Sequence, residues 1–161
     1  REDVPMLEVE DLASFDWTET VARNGHWRFP PAKVLVVDDG DENRTLLQLL
    51  LAEAGLTVET AVNGQQALDK AFAEKFDIIL MDVQMPVMDG LEATRELRQW
   101  ERERGRAPIP VVALTANAMD EERDRCMVAG MNAHLAKPFR RQQLTRVLSP
   151  YLTPEHAQPG R

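Results

Sequence analysis

The sequence predicts a doubly wound α/β domain: a five-stranded parallel sheet in the order 2-1-3-4-5, with helices on both faces. Three observations predict it. Short apolar runs recur five times, and each is followed by a stretch with helical spacing. The central runs are continuous rather than alternating, as strands covered on both faces require. Gly, Pro, Asn and Asp punctuate the boundaries. Parallel strands joined through helices need right-handed crossovers, and 2-1-3-4-5 is a common order for five of them, with its switch point between strands 1 and 3.

Residues 1–32 stand apart as a linker or N-terminal arm. They hold seven acidic and three basic residues, scattered aromatics (Phe15, Trp17, Trp27, Phe29) and a closing Pro30-Pro31. A peripheral helix from Val9 to Ala22 is an equal alternative for part of this arm. The domain proper spans 33–152, and 153–161 form a C-terminal tail. The first strand is Val34-Leu35-Val36-Val37, ended by Asp38-Asp39-Gly40. Leu46, Leu47, Leu49, Leu50, Leu51 and Ala54 then follow at helical spacing, stopped by Gly55. Leu56 to Thr60 is the second strand. Asn63-Gly64 opens a helix whose inner face carries Ala67, Leu68, Ala71 and Phe72.

Ile78 to Met81 is the third strand, with Asp82 at its end. Asp89 is a credible N-cap for a helix bearing Leu91, Thr94, Leu97 and Trp100, which runs out through a charged, solvated Glu101-Arg102-Glu103-Arg104 to Gly105. Val111 to Leu114 is the fourth strand. The helix Met119 to Ala129 starts with Asp120, Glu121 and Glu122, acids that suit the positive end of its dipole. Met131 to Ala136 is the fifth strand, and Arg140 to Leu148 the fifth helix, closed near Pro150.

Composition excludes several functions. A net charge of −8 argues against nucleic acid as a direct partner, because phosphate neutralisation needs a basic patch. No apolar run approaches the ~20 residues of a membrane helix, so no membrane contact is expected of this chain. The single cysteine, Cys126, fits a reducing cytoplasm and reads as a small buried residue on a helix. The chain begins at Arg1 and carries no signal peptide, which is expected of a piece cut from a longer parent.

In open α/β sheets ligands bind beyond the carboxyl ends of the strands. Asp38 and Asp39 follow strand 1, Asp82 ends strand 3, Thr115 ends strand 4 and Lys137 follows strand 5, so all five should meet at one edge. Any one of them alone reads as a turn, a loop hydroxyl or a surface lysine; it is the coincidence that points to chemistry. Three converging carboxylates repel, and one would take up a proton unless cations intervene. Lys137 offsets one charge and a divalent ion the other two. Oxygen ligands of this kind suit Mg²⁺. Asp82 can then stay ionised and act as nucleophile toward a phosphoryl group. Mg²⁺, Lys137 and the Thr115 hydroxyl are candidates for the three equatorial oxygens.

The wording Val-Val-Asp38-Asp39, Leu-Met-Asp82-Val-Gln-Met-Pro-Val-Met-Asp-Gly, Ala-Leu-Thr115-Ala-Asn-Ala and Lys137-Pro138-Phe resembles the receiver domain of two-component response regulators, over about Lys33 to Leu152. The wording Glu42-Asn43-Arg44, Gln84-Met-Pro-Val-Met-Asp-Gly-Leu-Glu-Ala-Thr and Ala-Leu-Thr115-Ala-Asn-Ala resembles in particular the C-terminal receivers of hybrid sensor histidine kinases. The resemblance implies a flavodoxin-like receiver fold and phosphorylation of Asp82 from a phosphohistidine, on a histidine kinase or a histidine phosphotransfer protein. It implies Mg²⁺ held by Asp39, Asp82 and the Gln84 backbone carbonyl, with Asp38 holding a metal-bound water. It also implies a cis Lys137-Pro138 peptide, autodephosphorylation, a cytoplasmic location with any membrane anchor elsewhere in the parent, and a fourth-helix/fifth-strand/fifth-helix surface as a candidate homodimer or partner interface. The parent would be a kinase. His26, His134 and His156 lack the setting of a kinase phosphoacceptor histidine.

Four positions depart from, or tune, that pattern. His134 stands where the family carries a switch Tyr or Phe; Thr115 drawing toward the phosphoryl group would vacate space that this residue fills, and an imidazole there can titrate. Gly40 replaces a more frequent Asn. Gln84 and Asn117 flank the phosphate as neutral amides, so a lifetime of neither seconds nor many hours is expected. Two rivals remain: an aspartate-nucleophile phosphohydrolase, which would need Asp-x-Asp after strand 1 and a cap, and a degenerate receiver serving only as a docking surface.

Overall fold

The computed structural model describes residues 29–116 and 119–152. The arm up to Arg28, Asn117 and the tail from Thr153, with His26 and His156, lie outside them. The chain alternates β1 (Lys33–Val37), α1 (Asp41–Glu53), β2 (Thr57–Ala61), α2 (Gly64–Ala73), β3 (Ile78–Asp82), α3 (Gly90–Arg104), β4 (Val111–Thr115), α4 (Asp120–Ala129), β5 (Ala133–Ala136) and α5 (Arg141–Leu152). The sheet order is β2-β1-β3-β4-β5 and every pairing is parallel. The predicted architecture and order therefore hold.

Strand period divides the core in two. Leu35, Val37, Ile79, Met81, Val111 and Ala113 pack with Ala67, Leu68, Ala93, Leu97 and Cys126, under α2, α3 and α4. Val34, Val36, Ile78, Leu80, Val112 and Leu114 pack with Leu47, Leu51, Leu144 and Leu148, under α1 and α5. Both faces of β3 are sealed, which is why its apolar run does not alternate. Cys126 is buried and free, as expected of a small core residue. Packing also extends ahead of β1: Phe29 lies in the second core, and its N–H donates to the Ala54 carbonyl at 2.8 Å.

Caps follow the predicted signals. Asn63 accepts from the Gln66 N–H and Asp89 from the Glu92 N–H, each at 2.9 Å. Gly105 closes α3 in the left-handed region, at φ 65°.

Three local expectations are corrected. Phe72 is 39% exposed rather than inward, and its ring meets Trp100 at 4.6 Å between centroids; at the margin of the apolar stripe it covers the neighbouring helix instead of the sheet. Pro150 does not close the last helix, which continues to Leu152. Burial of Leu144, Leu148 and Leu152 on one stripe holds the final turn together despite the missing N–H.

Glu101, expected in a solvated run, is 2% exposed. Its carboxylate accepts from Arg98 Nη1 (2.9 Å) and the Ile109 N–H (2.8 Å). Arg98 also donates to the Gly130 carbonyl at 3.0 Å and to Asn132 Oδ1 at 2.9 Å. This network ties the end of α3 to the turn between α4 and β5, at the N-terminal edge of the sheet. A charge that satisfies both carboxylate oxygens this way can be buried.

Candidate functional site

Register puts the predicted residues on one rim. Val37 pairs with Met81, so Asp38 falls level with Asp82; Asp82 pairs with Leu114, and Thr115 with Ala136, one residue before Lys137. One carboxylate oxygen from each of Asp38, Asp39 and Asp82 lies within 4.8 Å of the others. Lys137 Nζ donates to Asp82 Oδ2 at 3.3 Å and lies 3.4 Å from Asp38 Oδ2. Asp38 and Asp82 are buried and Asp39 is open to solvent.

Each group is positioned by short local contacts. Asp38 Oδ1 accepts from the Gly40 N–H at 2.8 Å, and the Asp38 carbonyl accepts from Arg44 Nη1 at 2.7 Å. Asp82 Oδ1 accepts from the Gln84 N–H at 3.2 Å. The Lys137 N–H donates to the Thr115 carbonyl at 2.8 Å, which joins the ends of β4 and β5. The Lys137-Pro138 peptide is cis. On the far side of Asp82 sits Gly90, where an added Cβ would lie 2.1 Å from the Asp82 carbonyl oxygen. Glycine there lets α3 begin directly against the strand end.

The electrostatics are those of an unneutralised pocket. Burial, then the Asp38 carboxylate, push Asp82 up to about 6; Lys137 and the Gln84 N–H pull the other way without cancelling them. Among the described residues, two buried side-chain polar atoms have no hydrogen-bond partner: Asp38 Oδ2 and the Thr115 hydroxyl. Asp38 Oδ2 is near enough to Lys137 for an ion pair but is not aligned for a hydrogen bond. Leaving such atoms unpaired costs roughly 1–3 kcal/mol each, so they mark places where a ligand belongs. An excess of carboxylate with an orphaned buried oxygen fits a divalent cation, and an orphaned hydroxyl beside it fits an anionic oxygen.

His134 is half-buried on β5, and burial followed by the Arg123 charge lowers its imidazole below the ordinary value. Two features escaped the sequence. Val87 takes a positive φ of 71°, with the Met88 N–H donating to the Pro86 carbonyl across it at 2.7 Å; a β-branched residue gives no local signal for this tight turn. Glu122 lines the same cleft as Asp39, Asp82, Gln84 and Lys137. The signal for it was spacing: Glu122, Cys126 and Ala129 share one helical face.

With this geometry in hand, comparison with known proteins is specific. The response regulator receiver domain model matches residues 34–149. The sensor histidine kinase GacS of Pseudomonas protegens is 46% identical over 116 residues, covering 72% of this chain but 13% of the kinase. Among solved structures, the receiver domain of the sensor histidine kinase PA1611 from Pseudomonas aeruginosa, with magnesium in its active-site cleft, is 41% identical, with a TM-score of 0.68 over 76% of this chain and 98% of that one. The receiver domain of the Saccharomyces cerevisiae response regulator Ssk1, crystallised with the histidine phosphotransfer protein Ypd1, is 30% identical, with a TM-score of 0.74 over 76% of this chain and 90% of that one.

Proposed function

The chain belongs to the response regulator receiver domain family, and from that premise we infer that Asp82 accepts a phosphoryl group from a phosphohistidine in a two-component phosphorelay. The observation that carries this is the rim itself: three acids within 4.8 Å, a lysine 3.3 Å from Asp82, and a buried hydroxyl with nothing to bond. In the transfer, an Asp82 oxygen attacks phosphorus and the P–N bond breaks. The imidazole leaves with the electron pair, which is later protonated by solvent. Lys137 holds Asp82 in place and is close enough to follow charge onto the phosphoryl oxygens. The Thr115 hydroxyl gains there the acceptor it lacks, and its movement would be relayed to the α4–β5–α5 surface beside His134. Asp39, Asp82 and the Gln84 backbone carbonyl would hold Mg²⁺, with Asp38 acting through a water. Bound there, the ion supplies charge compensation for the acids and the transferring oxygens.

The chain spans about an eighth of the GacS kinase it matches, so we read it as the receiver module of a longer sensor histidine kinase of the hybrid type. Its partner would be a phosphorylated histidine on that kinase or on a histidine phosphotransfer protein, the kind of protein seated on the Ssk1 receiver. No helix among the described residues is long and apolar enough to cross a membrane. Work at the cytoplasmic side, with any anchor elsewhere in the parent, agrees with that.

The test is labelling by acetyl phosphate and by a phosphorylated histidine donor, read by intact mass, for wild type and Asp82→Asn with Mg²⁺ or chelator. Labelling of wild type alone, and only with Mg²⁺, is expected. Equal labelling of Asp82→Asn would overturn the assignment, and steady turnover of a generic phosphoester would favour a phosphohydrolase.

A further inference from the structure

We propose that Glu122 sets the phosphorylation equilibrium of the cleft: its fixed negative charge opposes the phosphoryl group and keeps transfer to Asp82 readily reversible. This rests on Asp82 being the phosphoacceptor.

Asp120, Glu121 and Glu122 all suit the dipole at the start of α4, but of the three it is Glu122 that lines the cleft. Residues 122, 126 and 129 form one stripe of α4, and Cys126 and Ala129 on that stripe are buried against the core. Because α4 follows β4, the first turn of the stripe stands at the C-terminal rim of the sheet, over the cleft. The residue found there is a carboxylate whose side chain is 16% exposed, against 92% for Asp120 one residue pair earlier on the same helix. Its neighbours in the cleft wall are Asp39, Asp82, Gln84, Ala116 and Lys137. Arg125 Nη2 pairs with it at 2.7 Å and fixes the carboxylate; the Arg125 side chain is 60% exposed, so solvent screens the guanidinium more than the carboxylate it holds.

The charge acts on what is added to Asp82 more than on Asp82 itself. The Asp82 carboxyl responds to burial, Asp38 and Lys137. Glu122 also lies outside the cluster of three acids that could share a cation. A phosphoryl group extends beyond the Asp82 oxygens, into the space that Glu122 borders, and brings further negative charge. Repulsion inside a partly closed cleft is screened less than on an open surface. Lys137 and the cation site draw the anion in, and Glu122 limits how firmly it is kept. An acceptor that must hand phosphate on or back needs such a limit.

The experiment measures binding of beryllium trifluoride, an aspartate-bound mimic of the phosphoryl group, by ¹⁹F NMR in saturating Mg²⁺. This reads an equilibrium without hydrolysis. Glu122→Gln, nearly isosteric and still able to accept from Arg125, should bind about fivefold tighter at low salt, with the gain shrinking in high salt. Glu122→Asp, keeping the charge, should stay within about twofold of wild type on the same reasoning. Asp124→Asn makes the same change of net charge on an exposed site of the same helix and should leave affinity nearly unchanged. If Glu122→Gln and Asp124→Asn shift binding equally, or if Glu122→Gln weakens it, the proposal is overturned. Failure of the Asp82 assignment looks different: wild type would not bind, or Asp82→Asn would bind as well as wild type.

Discussion

Lys137 and Asp82 are 55 positions apart in the chain and 3.3 Å apart in space. The same ammonium lies 3.4 Å from Asp38, so one cation serves two buried carboxylates. Lys137→Met should therefore leave the fold intact while raising the Asp82 carboxyl above about 6, since the lysine charge is the largest of the influences that pull it down. Carboxyl titration by NMR in chelator would show the rise. Labelling by acetyl phosphate should fall by at least tenfold, in line with loss of one charged group from such a site.

Asp82 itself gives a pH signature. Its folded value, about 6, exceeds the ordinary carboxyl value of 3.8, so the folded state binds the proton more tightly than the unfolded chain. The ionised form is a burden above pH 6 that is relieved as pH falls from about 6 toward 4. In chelator, Asp82→Asn should stabilise the domain at pH 7.5 by roughly 1–3 kcal/mol, and the advantage should vanish near pH 4. Added Mg²⁺ should stabilise wild type and not the variant. Urea melts at the two pH values check both statements.

Gly90 leaves no room for a methyl group, because its Cβ would meet the backbone of Asp82 at 2.1 Å. Backbone cannot rotate away as a side chain can. Gly90→Ala should cost roughly 2–4 kcal/mol and lower phosphate labelling beyond what the lost stability explains. A crystal structure of the variant would show α3 pushed off the strand end.

The two kinds of ion pair in the molecule should behave oppositely. Glu101→Ala strands a largely buried Arg98 and removes the acceptor of the Ile109 N–H, so a loss of about 3 kcal/mol is expected. Asp120→Ala breaks an open pair with Arg123, whose side chains are 92% and 53% exposed, and should change stability by less than about 0.5 kcal/mol.

His134 is held below its ordinary value by burial and by Arg123. A base lowered in the folded state contributes stability above its unfolded value, and that stability is lost as pH falls below about 6.5. Partner binding through the α4–β5–α5 surface should weaken over the same acid range. His134→Phe should flatten both profiles; an unchanged pH dependence of binding would dismiss a role for the imidazole.

The fold was legible because the strands announce themselves as apolar runs and the helices as stripes. The rim was legible because its residues are polar at strand ends, where no core needs them. Glu101 was not: its partner Arg98 is itself held by Gly130 and Asn132, some thirty residues further along, and a local window shows only a charged run. Phe72 and Pro150 failed for a related reason: spacing gives a helix face and a stop signal, but neighbours decide whether the face is covered and whether the last turn is held. Glu122 was legible in principle, and its place in a row of helix-start acids hid it.

The Arg98–Glu101–Asn132 fastening sits at the edge of the sheet opposite Asp82. Rigidity and reactivity are thus kept at separate poles of the same strands. A designer could reinforce the far pole, or evolution could rewrite it, with the phosphate chemistry left alone.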